Sequence, residues 1–171
     1  MRMFVTQADI KGFKELLDKQ AAFTKKQAGT VNSQYFDFVL QDTLGMKRSI
    51  SEYVGKSRLL FVDFWASWCG PCRKELQHLK ALYKELEGKG VKFVSVSLDN
   101  SPKAWARADE EEQLPWLSVR NLHGFDRKAG ICKELDIKSI PFIVVLDKDG
   151  AIVAKSLMGE ALRDKLSELL K

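Results

Sequence analysis

Cysteine and histidine are scarce in this chain. Three cysteines and two histidines stand among 171 residues. Three thiols cannot form a disulfide framework, and they allow one internal bridge and one spare thiol at most. Four zinc ligands would need a histidine to join every cysteine, and only His78 and His123 exist. Long apolar runs are also missing. The longest, such as Phe142-Ile143-Val144-Val145-Leu146, are the length of strands and far short of the roughly 18 residues a membrane span needs. The first residues do not read as a signal peptide. Met3-Phe4-Val5 is too short for an apolar h-region, and Gln7, Asp9 and Lys11 follow at once. No concentrated basic stripe appears. The net charge of +5 is spread along the chain, and the acidic run Asp109 to Glu112 offsets short basic pairs such as Arg73-Lys74. That argues against a nucleic-acid partner.

What remains is an ordinary soluble balance, with 45% hydrophobic and 30% charged residues. Residues 1–34 read as an appendage. Thr6 to Asp9 fits a capping box, and Ile10, Phe13, Leu17 and Ala21 follow as an amphipathic stripe. Gly29 is a stop, and Thr30 to Gln34 is a linker. The main domain is expected over 35–171.

Within it, Phe36 to Leu40 and Lys47 to Ile50 predict a hairpin around the polar turn Gln41 to Gly45. Leu59 to Trp65 is a continuous apolar run, broken only by Asp63, as in a strand buried on both faces. A helix is expected after Gly70-Pro71, with Leu76, Leu79, Tyr83 and Leu86 on one face and Gly88 and Gly90 at its end. Val91 to Leu98 predicts a strand, Ser101-Pro102 a helix start, and Trp116 to Val119 a short strand. A short helix is expected around Asp126 to Leu135. Phe142 to Leu146 and Ala151 to Ser156 predict a hairpin across Asp147 to Gly150. Leu162, Leu166 and Leu169 mark a last helix. This order implies an α/β fold with a central mixed β-sheet flanked by helices.

The chemistry centres on Trp68-Cys69-Gly70-Pro71-Cys72. Two cysteines separated by two residues can close a small disulfide. They lie where a strand end runs into a helix start, and unpaired N–H groups there favour a thiolate at Cys69. Cys72 would sit in the first helical turn and resolve a mixed disulfide. Haem attachment would need a histidine after the motif, where Arg73 stands. A zinc site would need a second such knuckle. A purely structural disulfide is the remaining alternative.

The segment Val62-Asp63-Phe64-Trp65-Ala66-Ser67-Trp68-Cys69-Gly70-Pro71-Cys72 resembles the active-site segment of thioredoxins. The longer chain is similar to the TlpA/ResA-like branch of that superfamily. Phe38-Val39-Leu40-Gln41-Asp42-Thr43-Leu44-Gly45 matches its opening hairpin, and Ile140-Pro141 with Asp147 to Gly150 matches its closing segment. The resemblance covers about 35–171 and implies a thioredoxin-like fold with an N-terminal β-hairpin. It implies a thiol–disulfide oxidoreductase that reduces protein disulfides through Cys69 as nucleophile and Cys72 as resolving thiol, with no other cofactor and no metal.

Further roles follow from the resemblance. Pro141 would be a cis-proline facing the CxxC and exposing the Ile140 backbone to a bound peptide; the alternative is an ordinary trans proline before a strand. Asp63 would be a buried acid that relays a proton to or from Cys72; the alternative is a solvated acid on a strand edge. Thioredoxins often place a Lys beside that acid, and alignment puts Ser95 there instead. Trp68, Gly70, Pro71 and the loop of Met158, Gly159 and Glu160 would border the substrate. Cys132 reads as a buried, inert thiol, and His78 and His123 receive no role. A thiol peroxidase is the alternative within enzymes, although the peroxiredoxin Pro-x-x-x-Thr-x-x-Cys motif is absent. A thioredoxin-shaped binding module is the alternative outside them. The branch is mostly bacterial and extracytoplasmic. The chain is therefore expected to be part of a longer exported protein, recharged by a membrane thiol reductant, or cytoplasmic and served by a thioredoxin reductase if it is complete.

Overall fold

The structure is a computed structural model that describes residues 37–171 and, ahead of them, 11, 12, 14 and 15, which are helical. Apart from those four, the expected appended helix and its linker lie outside the described residues. Twelve elements follow in order. They are β1 (Val39–Gln41), β2 (Lys47–Ser49), a 3-10 turn (Ile50–Glu52), β3 (Leu59–Trp65), α1 (Gly70–Leu86), β4 (Val91–Ser97), α2 (Pro102–Glu112), β5 (Leu117–Asn121), α3 (Gly130–Glu134), β6 (Phe142–Asp147), β7 (Ile152–Lys155) and α4 (Gly159–Leu169). The strands form one sheet in the order β2-β1-β5-β4-β3-β6-β7. β3, β4 and β5 run parallel, and the remaining pairs are antiparallel.

β3 is buried at all seven positions. Its alternation sorts the core into two layers. Leu60, Val62 and Phe64 pack with Ile50, α3 residues Ile131 and Cys132, and the β1 residue Leu40. Leu59, Phe61 and Trp65 pack on the other face with α1, α2 and α4. Asp63 falls in that second row.

α1 buries Leu76, Leu79, Leu82 and Leu86 at helical spacing, each worth about 2 kcal/mol when removed from water. Ser101 caps α2 by accepting the Ala104 N–H at 3.2 Å, with Pro102 behind it. In the opening hairpin Asp42 Oδ1 accepts the N–H groups of Leu44 and Met46 at 3.0 and 2.9 Å. Asp147 does the same for Asp149 and Ala151 in the turn between β6 and β7.

Several boundaries differ from expectation. α3 covers only Gly130–Glu134, because Asp126 closes a turn on the Lys128 N–H at 2.9 Å and Gly130 takes φ +56°. Trp116 precedes β5 rather than opening it. Gly159 is the first residue of α4 rather than part of a preceding loop, with φ +59°.

Candidate active site

Cys69 is the N-cap of α1. Its extended backbone turns the chain out of β3, and its Sγ accepts the Cys72 N–H at 3.2 Å. Pro71 sits in the first turn, where no N–H is needed. Cys69 and Cys72 are bonded as a disulfide, with Cα atoms 5.2 Å apart. Both are buried, whereas Gly70 and Pro71 are exposed. When the bond is reduced, an anion at Cys69 Sγ meets the backbone donor and the positive end of the helix dipole.

Asp63 lies on the face of β3 that Phe61 and Trp65 share with Cys72. It is 2% exposed, so the solvated strand-edge alternative does not hold. Burial pushes its carboxyl up to about 7. The Ser95 hydroxyl, 3.3 Å from Oδ2, pulls the other way, and the negative charge of Glu75 adds to the upward push. Ser95 is the register partner of Asp63 on β4, so the aligned position holds a hydroxyl and no cation. Glu75 was not singled out in the sequence. It stands one turn past Cys72 on α1, and that spacing alone was the available signal.

The Ile140–Pro141 bond is cis. The Ile140 carbonyl oxygen lies 3.7 Å from Cys69 Sγ, which brings the loop before β6 to the disulfide from the far end of the sequence. Trp68 is 60% exposed. Its ring nevertheless meets Phe125 of the loop after β5, centroids 6.0 Å apart. Gly159 lines a cleft between α1 and α4 together with Glu75, His78 and Arg163. Met158 beside it is partly exposed.

Two supports of the site were missed in the sequence. Asp99, buried at the end of β4, accepts the Ser67 N–H at 2.9 Å, the Ser67 hydroxyl at 2.5 Å and the Ser97 hydroxyl at 2.6 Å. It thereby fixes the loop that presents Trp68 and Cys69. The available signal was an acid at the carboxyl end of a parallel strand, the edge where open α/β sheets place their sites. Arg73, next to Cys72, is held by Glu111 at 2.7 Å and Glu112 at 2.5 Å. Its charge is thus committed to α2.

Other candidates lie apart. His78 is exposed, with Nδ1 3.2 Å from Glu75. His123 is exposed beside Gly130. Cys132 is buried, and burial raises its thiol to about 11.

Comparison with known proteins agrees with this arrangement. The model of the AhpC/TSA family matches residues 31–155. The thiol-disulfide oxidoreductase ResA of Bacillus subtilis (strain 168) is 36% identical over 133 residues, 78% of this chain and 70% of that one. ResA of Bacillus thuringiensis subsp. konkukian is 28% identical over 152 residues, 89% of this chain and 83% of that one. Among solved structures, a thiol-disulfide oxidoreductase from Bacteroides fragilis superposes with a TM-score of 0.71 at 33% identity, covering 80% of this chain and 99% of that one. The thioredoxin domain of a Bacteroides vulgatus thiol-disulfide oxidoreductase gives the same TM-score at 28% identity, covering 83% and 99%. A dithiol at a helix start, on a sheet shared with these proteins, makes this a thiol–disulfide oxidoreductase of thioredoxin-like fold, and the chain belongs to the AhpC/TSA family.

Proposed function

We propose that the protein reduces disulfides in other proteins, with Cys69 attacking and Cys72 resolving. One observation carries the reading: Cys69 Sγ occupies the N-cap of α1 and takes the Cys72 N–H. Cys69 thiolate attacks a substrate disulfide, forming a mixed disulfide and releasing one substrate thiolate. Cys72 gives its proton to the Asp63 carboxylate and attacks Cys69 Sγ. The second substrate sulfur leaves, and the protein holds the Cys69–Cys72 bond. Two electrons have passed to the substrate. A thiol donor, either a membrane reductant or a thioredoxin reductase, must return them. The couple itself does the exchange and calls for no bound cofactor.

Trp68, Gly70, Pro71, Ile140, Pro141 and Gly159 form the contact surface in this reading. The exposure of Trp68 and the approach of Ile140 to Cys69 support it. Gly-Pro between the cysteines favours reduction over oxidation. Likeness to the TlpA/ResA branch favours a site outside the cytoplasm, in a periplasm or envelope, within a longer exported protein.

The deciding measurement is the midpoint potential of the Cys69/Cys72 pair, read by mass-tagging free thiols in graded dithiol buffers. A value near about −270 mV is expected. A value between about −120 and −180 mV would reverse the direction of electron flow. Failure to titrate as one two-electron couple would favour a binding module, and peroxide consumption by Cys72→Ser would favour a peroxidase.

A further inference from the structure

Ser95 is fully buried, and two groups meet at its hydroxyl. The Trp116 indole N–H donates to Ser95 Oγ at 2.8 Å. Asp63 Oδ2 lies 3.3 Å from the same oxygen. An indole nitrogen can only donate, and a serine hydroxyl has one proton to give. The Ser95 hydroxyl gives its proton to Asp63 Oδ2, and an indole donor on one of its two acceptor sites polarises the hydroxyl and strengthens that donation. A neighbouring pair shares the indole-to-serine contact alone, since the Trp105 indole donates to Ser118 at 3.4 Å, and Ser118 is the register partner of Ser95 on β5.

We propose that Trp116 is a positioning residue for the exchange reaction: by donating to the Ser95 oxygen it polarises the hydroxyl, strengthens the Ser95 bond to Asp63 and keeps that carboxyl an acceptor. The chain thereby replaces a neighbouring cation with an oriented pair of neutral groups. This rests on the proposed role of Asp63 as proton acceptor and adds a residue from outside the motif. Without Trp116, the Ser95 hydroxyl loses that polarisation and more readily accepts from a protonated Asp63, an arrangement that favours the neutral acid.

The groups that bear on Asp63 are few. β4 presents Ser95 and β6 presents Ile143 as register partners. α1 contributes Cys72 and Glu75, and the Glu75 carboxylate stands against His78. α4 contributes Leu162 and Leu166 to the same layer. Glu75 acts whether or not Trp116 is present, so its effect cancels when variants are compared.

The test is the titration of Asp63 in the disulfide form, followed by carboxyl carbon NMR in wild type, W116F, S95A and the double variant. W116F is expected to move the Asp63 titration upward by about one pH unit, the weight of one net hydrogen bond. S95A is expected to do the same, and the double variant to move no further than S95A alone. An unmoved titration in W116F overturns the proposal, as does a W116F effect that persists in full without Ser95. A second measurement needs no variant at Trp116. The indole N–H resonance of Trp116 should follow the Asp63 inflection in the wild-type protein and lose it in D63N. An indole resonance indifferent to that inflection also overturns the proposal. The base role of Asp63 is read separately, from the pH profile of turnover in D63N. An unchanged profile beside an intact NMR coupling would remove the base role of Asp63 and the part of Trp116 in the exchange, and would leave the Trp116–Ser95–Asp63 coupling as structure alone.

Discussion

Burial pushes the Asp63 carboxyl up to about 7 against an ordinary value of 3.8. Between those values the unfolded chain has released the proton and the folded one still holds it. Stability therefore falls as pH rises through that window, and the loss is complete above the folded value. Asp63→Asn carries no such charge. Its advantage over the wild type is expected to be greater near pH 8 than near pH 4, by a few kcal/mol. Urea melts at both pH values check this, and an equal difference at both would count against it. The same variant should resolve mixed disulfides slowly, so stability and rate move in opposite directions. Cys132 behaves in the contrary sense to the active pair. With its thiol held near 11 by burial, the reduced native protein is expected to resist iodoacetamide at Cys132 near pH 8 and to accept it in denaturant. Mass spectrometry reads the difference. Cys69 and Cys72 were legible as a local pattern, whereas Asp63 and Pro141 were singled out through the resemblance to thioredoxins. The sequence concealed Asp99 and Trp116, whose roles arise only when β4 lies beside β3.

At the scale of elements, α1 is fixed at both faces. Its leucines pack beneath the sheet layer, and Arg73, Gln77 and Lys80 all reach Glu112 at the end of α2. The Glu112 carboxylate is nearly buried, and its neighbour Glu111 is half exposed. Glu112→Ala removes the nearly buried acceptor of Arg73 Nε and Gln77 and is expected to cost about 2 kcal/mol in denaturant melts. Glu111→Ala should cost distinctly less, because water screens its pair. Equal losses would show that the contact is worth no more than a surface ion pair. Most strands and helices were legible from apolar spacing and turn residues. α3 was read too long because residues 126–129 carry no feature that separates a turn from a first helical turn. The placement of α2 against α1 was not legible, since Glu112 belongs by sequence to a run of exposed acids.

Across the whole molecule, the site draws on segments far apart in the chain. The β3–α1 junction supplies the sulfurs, the segment just after β4 supplies Asp99, the loop after β5 supplies Phe125, and the loop before β6 supplies Ile140 and Pro141. Phe125 touches the site through the Trp68 ring. Phe125→Ala is therefore expected to lower kcat/KM several-fold toward a protein disulfide and to leave a small aromatic disulfide unaffected, within about the 0.5–1.5 kcal/mol of an aromatic pair. An equal loss on both substrates would place Phe125 in the chemistry itself. The N-cap of α1 has one more consequence. Reduced and oxidised protein, folded and unfolded, make a closed cycle. Any folding energy that the Cys69 anion contributes at the helix end must reappear as a change in how readily the bridge is reduced. Two denaturation curves, one for each oxidation state, thus weigh electrons: each difference of about 1.4 kcal/mol between them equals about 30 mV relative to the unstructured peptide.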